Sequence, residues 1–257
     1  MRIGLLGNHT GWAPRLAAAG FEVVTYGAYL GEAAAIGVIV DRLGDFVDEL
    51  EHPRRFMLDI PPGGAVDSVV DESYVVMEPG DVVIDPTPSY WGDTLRRYRR
   101  MRHRSVYYVD VSMMGESQTA LASGDERAVA LALPVLARLV PPGGVVCAGG
   151  AGAAHFALMV RAGVATAVAH ALSEARQLVE AYPNGADPES VMGRLWPTPH
   201  PASPAAAWLP EDAVRLHAAI PLLAQAVMLE MGAALDNHRS VEVPPRVGGF
   251  VHPDDIL

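Results

Sequence analysis

The sequence predicts an α/β domain followed by a small all-helical one, and three observations lead to that expectation. Short apolar runs of strand length alternate with helical stretches through the first 148 residues, the pattern of a mostly parallel sheet with helices between its strands. Several of these runs end in glycine, proline or aspartate turns, at the strand ends where a doubly wound sheet keeps its ligands. From Ala151 to Tyr182 the chain then runs 32 residues without a proline. As a helix this stretch would reach about 48 Å, more than one small domain needs.

The elements follow in order. Arg2 to Gly7 is the first strand, Trp12 to Ala19 a helix closed by Gly20, and Phe21 to Thr25 the second strand. Strand, tight turn, helix and strand in so short a span open a βαβ unit of the Rossmann kind. Val40 to Glu51 reads as a helix, and Arg55 to Ile60 as a strand running into Pro61-Pro62-Gly63-Gly64. Ala65 to Met77 is helical, Asp81 to Ile84 a strand, Tyr90 to Arg102 an arginine-rich helix and Ser105 to Val109 a strand. Thr119 to Ser123, a glycine-aspartate turn, a helix to Leu139 and the strand Val145 to Ala148 complete a doubly wound domain over residues 1–148.

The second domain, residues 149–257, opens with the long helix, whose apolar residues crowd nearly every face as far as Glu174 and so predict burial. Asp187 to Trp196 reads as a short helix with Asp187 as its cap and Pro188 at its first position. Pro197 to Pro210 is an irregular connector, Glu211 to Leu235 a long apolar helix divided by Pro221, and the Pro- and Gly-rich tail from Val241 an extended segment.

Composition narrows the function. The formal charge is −11 and the 19 basic residues are all arginine, with no lysine anywhere. An acidic surface argues against a nucleic-acid partner, and the arginines between Arg96 and Arg104 read as a solvated helix end. Without lysine there is no Schiff-base or amine acid/base chemistry, and a guanidinium does not release its proton at usable pH. The lone Cys147, in an apolar strand pattern, reads as a buried inert thiol and points to the cytoplasm. No apolar stretch at the N-terminus is long enough for a secretory signal, and the charge-free run Ala162 to Ser173 is too short to cross a bilayer. The histidines show no metal spacing, so no metal is expected.

The first turn reads Gly7-Asn8-His9-Thr10-Gly11-Trp12. A dinucleotide fingerprint needs a second glycine for backbone approach to the diphosphate and a third for close packing of helix on strand. His9 and Trp12 stand at those places. The turn still precedes a helix start that attracts an anion, with Thr10 placed to cap it. Tyr26-Gly27-Ala28-Tyr29 after the second strand supplies neither the acidic residue nor the arginine that contacts an adenosine ribose.

The run from Gly150 to Gly163, GAGAAHFALMVRAG, resembles the start of the inter-domain helix of the 6-phosphogluconate dehydrogenase and β-hydroxyacid dehydrogenase superfamily, close to GAGHFVKMVHNGIEY. That resemblance implies a catalytic lysine where this chain has Leu158. It implies histidine, asparagine, glutamate and tyrosine lining the substrate site where Arg161, Ala162, Ala165 and Thr166 stand. The Pro61 to Gly64 turn resembles the superfamily's V-P-x-G turn against the cofactor. Asp85 to Ser89 resembles D-G-G-N-S, with Ser89 matched and Pro88 at the asparagine. Asp110 to Glu116 resembles D-V-x-x-S-G-G, a substrate-gripping loop, with Met114 at the serine. Arg246 to His252 keeps the spacing of a C-terminal arginine and histidine that hold substrate phosphate.

The resemblance implies NAD or NADP at Gly7, Asn8, His9, Thr10, Gly11, Pro61 and Gly63. It implies a small hydroxylated substrate, with or without a phosphate, at Ser89, Ser112, Arg161, Arg246 and His252, and a homodimer formed through the helical domain. With the lysine gone, proton transfer falls to His155, Glu116 or Tyr90, with His9 a further candidate. Arg161 shares a helix face with Leu158, so it either binds an anion at the substrate site or pairs with Asp110 or Glu116. His170 reads as a satisfied core histidine. The sequence expectation is a divergent NAD(P)-linked oxidoreductase. A repurposed isomerase, lyase or hydrolase without a dinucleotide, and a non-catalytic ligand-binding homologue, remain open beside it.

Overall fold

The structure is a computed structural model that describes residues 1–7, 9–27, 36–115, 118–181, 187, 190, 204–215 and 220–236. Eight strands form one sheet: β1 (Arg2–Gly7), β2 (Glu22–Tyr26), β3 (Val38–Val40), β4 (Arg55–Asp59), β5 (Val82–Asp85), β6 (Tyr107–Met114), β7 (Thr119–Ser123) and β8 (Val145–Gly149). Their order is β3-β2-β1-β4-β5-β6-β7-β8. The first six are parallel in the Rossmann order, and β7 turns back antiparallel on β6 with β8 parallel to β7. The predicted doubly wound α/β fold is the observed one, and its topological switch falls between β1 and β4.

Alternation along the strands divides the core in two. Ile3, Leu5, Met57, Ile84 and Val109 pack on one face with residues of α1 (Trp12–Ala18) and α5 (Glu126–Leu139). Leu6, Val24, Phe56, Leu58 and Val83 pack on the other with α2 (Leu43–Asp48), α3 (Gly64–Ser73) and α4 (Trp91–Arg102). Gly4 lets this second face close up, since a Cβ there would lie 2.7 Å from Leu50 and from Phe46.

Several elements depart from the sequence reading. The β-branched run Val38–Val40 is an edge strand with Val38 and Ile39 exposed, so the helix expected from Val40 begins only at Leu43 and ends at Asp48. The Asp110–Met114 run is strand, not loop: Val111 and Met113 pair with Ala122 and Ala120, and the turn starts at Gly115. Cys147 is exposed, not buried, because β8 closes the sheet as its edge. The arginine helix is not simply solvated, since Arg97 is 1% exposed.

The described residues fall into two compact units, one within 1–157 and one beginning at Leu158. The boundary lies inside α6 (Ala153–Ala181). Ala153–Ser173 is long and apolar enough to cross a membrane by length and composition, and 28% of its apolar stretch is buried. The helix is therefore not buried all round: Val164 and Val168 are exposed.

In the second unit a 3-10 turn (Pro204–Trp208) precedes α7 (Leu209–Arg215) and α8 (Pro221–Asp236). The expected long helix is two helices, the second beginning at Pro221, where a missing N–H costs nothing. Gly163 is the glycine that admits α7, since a Cβ there would meet Leu209 at 2.2 Å. His170 is half-buried with Nε2 3.6 Å from Glu230, not enclosed in a core. Asp187 accepts the Ser190 N–H at 2.9 Å, as a cap does.

Candidate functional site

Three neighbouring parallel strands carry buried aspartates, Asp59 closing β4, Asp85 closing β5 and Asp110 opposite Asp85 within β6. A buried carboxylate is tolerated where N–H and O–H donors replace its water. Each of the three gathers its donors from a different part of the chain, and together they fix the carboxyl end of the sheet.

Asp59 lies opposite Gly7 in the β1/β4 register. Its Oδ1 accepts Thr10 N and Thr10 Oγ1, both at 2.6 Å, and its Oδ2 accepts Trp12 N at 3.0 Å. The Asp59 carbonyl accepts His9 N at 2.9 Å. Gly7, with φ 99°, is required because a Cβ would stand 2.3 Å from that carbonyl. Thr10 is therefore not the helix cap: Gly11 holds that position with φ 82°, and the Thr10 side chain is turned onto Asp59.

Asp85 accepts Thr87 N at 3.0 Å, the Thr87 hydroxyl and the Tyr108 hydroxyl. Burial, with the Asp85 charge beside it, pushes the Tyr108 phenol well above its ordinary range. Thr87 Oγ1 lies 2.9 Å from Ser89 Oγ, which accepts Arg97 Nη1 at 3.0 Å. The remaining Arg97 donors reach Asp67 at 3.0 and 3.2 Å and the Gly63 carbonyl at 3.2 Å. Burial pulls this guanidinium down, but Tyr108, Asp67 and Asp85 outweigh it and hold it above its ordinary value. Arg97 thus ties the Pro61–Gly64 turn, α3 and Ser89 into one unit.

Asp110 accepts Gly152 N at 2.8 Å and His155 N at 3.1 Å. Ser123 Oγ takes Ala154 N, and Ser112 Oγ donates to the Ala154 carbonyl, each at 2.8 Å. A carboxylate at a helix start also meets the positive end of the helix dipole. His155, 1% exposed, sits in this first turn of α6 with Nδ1 2.8 Å from Thr94 Oγ1. The Thr94 hydroxyl reaches the Tyr90 carbonyl at 3.3 Å. A hydroxyl hydrogen placed on that carbonyl would let the hydroxyl accept from Nδ1–H and would put the ring's lone pair on Nε2. Nε2 is buried with no hydrogen-bond partner among the described residues.

The structure thus brings Gly7, His9, Thr10 and Gly11 around Asp59, Gly63 and Ser89 around Arg97, and Tyr90 and His155 around Thr94. Ser112 spends its hydroxyl on the α6 backbone. Pro61 is exposed beside its turn. Arg161 is exposed and lies in the second unit. Both Asp110 oxygens are engaged by N–H groups at the start of α6. Asn8, Glu116, Arg246 and His252 lie outside the described residues. Sequence reasoning missed Asp59, Thr94 and the role of Arg97. An acid closing an apolar strand, repeated in FMLD, VVID and YYVD, was the available signal for Asp59.

A six-strand parallel run in this order, with a glycine turn after β1 and polar side chains at the strand ends, defines the class of nucleotide-binding-type Rossmann domains. Residues 3–149 match the family described as the NAD binding domain of 6-phosphogluconate dehydrogenase, and the chain belongs to that family. It is 34% identical over 143 residues to the NAD(+)-dependent, decarboxylating 6-phosphogluconate dehydrogenase of Bacillus subtilis, a match covering 52% of this chain and 31% of that protein. The chain therefore spans about a third of the length of that relative.

Among solved structures, 3-hydroxyisobutyrate dehydrogenase of Mycobacterium tuberculosis with L-serine is similar at TM-score 0.72 and 22% identity, over 93% of this chain and 97% of that one. Plasmodium falciparum 6-phosphogluconate dehydrogenase, described with NADP+ and with 6-phosphogluconate, is similar at TM-score 0.65 and 15% identity, over 99% and 67%. These two likenesses show the fold.

A dinucleotide in a Rossmann domain sets its diphosphate on the amides after the first strand. Here Asp59 already holds the Thr10 and Trp12 amides. A diphosphate placed on the same groups would face a buried carboxylate, a like-charge contact that water screens little. His9 and Trp12 also replace two of the fingerprint glycines. The β1–α1 turn does not fit a diphosphate in the usual pose.

Proposed function

We propose that this chain is a divergent, lysine-less member of the dehydrogenase superfamily that binds a small hydroxylated substrate of the carboxylate- or phosphate-bearing class. In this reading His155 Nε2 accepts the substrate's hydroxyl proton and later returns it. The observation that carries it is the buried Nε2 atom without a hydrogen-bond partner among the described residues. An imidazole nitrogen can both take and return a proton, and this chain has no lysine to do it. Ser89 and Tyr90 flank the same strand end and are the proposed substrate contacts.

Two functions are compatible with this chemistry. Family membership supports an NAD(P)-linked oxidoreductase. Asp59 on the amides of the β1–α1 turn favours a repurposed isomerase, lyase or hydrolase, or a non-catalytic binder, that holds no dinucleotide in the superfamily's manner. We adopt the second. Titration with NADH and NADPH, followed by cofactor fluorescence, separates them: no saturable binding at millimolar cofactor is expected, and saturable binding restores the oxidoreductase. Melting the protein with 3-hydroxyisobutyrate, L-serine or 6-phosphogluconate tests the substrate class. A stabilising shift that His155→Gln abolishes is expected, and a shift indifferent to that substitution removes His155 from the site.

The proposed domain division is a dinucleotide-binding-type domain over residues 1–148 and a helical domain over 149–257, in a cytoplasmic homodimer. The exposed Val164 and Val168 on α6 and Leu222 and Met228 on α8 support a second copy as the cover for this apolar surface. Sedimentation of the intact chain as a dimer, and of the Val164→Glu, Val168→Glu double variant as a monomer, is the expected result.

A further inference from the structure

We propose that Asp59 is a built-in anion that fills the diphosphate cradle of the β1–α1 turn and so sets this chain against phosphate-bearing nucleotides. The inference rests on the reading that no dinucleotide is held in the superfamily's manner, and it names the residue responsible. The carboxylate is 1% exposed and takes Thr10 N, Thr10 Oγ1 and Trp12 N, while its own carbonyl takes His9 N. Those are the donors that a phosphate would need after the first strand.

The strand Arg55–Asp59 is otherwise a core strand, with Phe56, Met57 and Leu58 fully buried. Ending it in an acid costs desolvation, which the three donors on the carboxylate, Thr10 N, Thr10 Oγ1 and Trp12 N, offset. The result is a turn whose His9, Thr10 and Trp12 amides are satisfied without a ligand. Gly7 completes it, because only a residue lacking Cβ leaves room for the Asp59 carbonyl directly opposite. A nucleotide diphosphate must therefore displace a charge that is covalently part of the fold and already in place. A purely structural Asp59 would instead only steady the start of α1, and its neutralisation would change stability without changing nucleotide affinity.

The test titrates the full chain, as wild type, Asp59→Asn and Asp59→Ala, with NADH and NADPH, followed by cofactor fluorescence and by thermal melting. Asp59→Asn keeps an acceptor and removes the charge, so it keeps the test open if Asp59→Ala does not fold. The expected result is no saturable binding to wild type, with affinity rising at least about tenfold in Asp59→Asn once the charge is gone. The same variant melts lower without nucleotide. No binding by wild type or by any folded variant overturns the role of Asp59 while leaving the non-dinucleotide reading standing. Tight binding by wild type with Asp59→Asn unchanged overturns both. Binding by wild type that tightens at least about tenfold in Asp59→Asn supports the role of Asp59 and overturns the reading beneath it.

Discussion

His155 Nδ1 lies 2.8 Å from Thr94 Oγ1, so a hydroxyl on α4 sets the orientation of an imidazole on the first turn of α6. The backbone N–H of the same histidine is held by Asp110 within β6. Three elements that are distant in sequence thus aim one buried ring, and the chemistry at Nε2 depends on all three.

Replacing Thr94 by valine removes the hydroxyl and keeps the shape. Nδ1 is then buried without its partner, which should cost about 1 to 3 kcal/mol of unfolding free energy. The tautomer also loses its anchor. Nitrogen NMR of the imidazole is expected to show an Nδ1–H tautomer in the wild type and a mixture in Thr94→Val. An Nε2–H tautomer in the wild type would mean that Nε2 is a donor, and the base assigned here would be wrong.

The Asp110 carboxylate makes two charge-assisted bonds to the start of α6. Asp110→Asn keeps the volume but loses the charge and turns one acceptor into a donor facing an N–H. About 2 kcal/mol of destabilisation is expected. Urea unfolding should show a lower midpoint with an unchanged slope. An unchanged midpoint would mean that α6 begins independently of β6.

The sheet was largely legible because its signals are local. Apolar strand runs, closing glycines and the Gly124-Asp125 turn set most elements without reference to partners. β3 was missed because Val38–Val40 is short and follows a stretch with no strand pattern. The site was less legible because its residues act through pairings. Thr94 is an unremarked helix residue until α6 supplies His155 at its side. Arg97 looked like one of a run of solvated arginines, and only the fold turns it inward onto Asp67, Ser89 and Gly63. Gly7 and Gly11 are legible as turn glycines, yet the turn they build also takes a carboxylate from β4.

Arg97→Leu takes from Asp67, Ser89 and the Gly63 carbonyl the donor they share, while Arg96 still reaches Asp67 at 2.8 Å. Breaking a buried ion pair from one side costs about 3 to 5 kcal/mol, and with Arg96 still paired to Asp67 the low end of that range is expected. The double variant Arg97→Leu, Asp67→Leu should recover part of it by removing the stranded carboxylate. Arg97→Lys should not, because one ammonium cannot reach three acceptors in the geometry of a guanidinium fork. Chemical unfolding of the three variants checks this, and full rescue by lysine would mean that charge alone matters.

Tyr108 offers a pH test with a defined sign. Its phenol is held well above the ordinary value of about 10 by burial and by Asp85. Above that pH the unfolded chain releases the proton while the folded chain keeps it, so the folded state binds more protons and stability falls as pH rises. The contribution is complete below about pH 10 and declines by about 1.4 kcal/mol per unit through the window up to the folded value. This chain suits the measurement because it has no lysine to titrate in the same range. The stability difference between wild type and Tyr108→Phe, measured by denaturant unfolding, should be flat from pH 7 to about 9.5 and then shrink at that slope. A difference that stays constant through pH 11 would show that the folded chain does not keep the proton on Tyr108, and the account of Asp85 as its partner would fail with it.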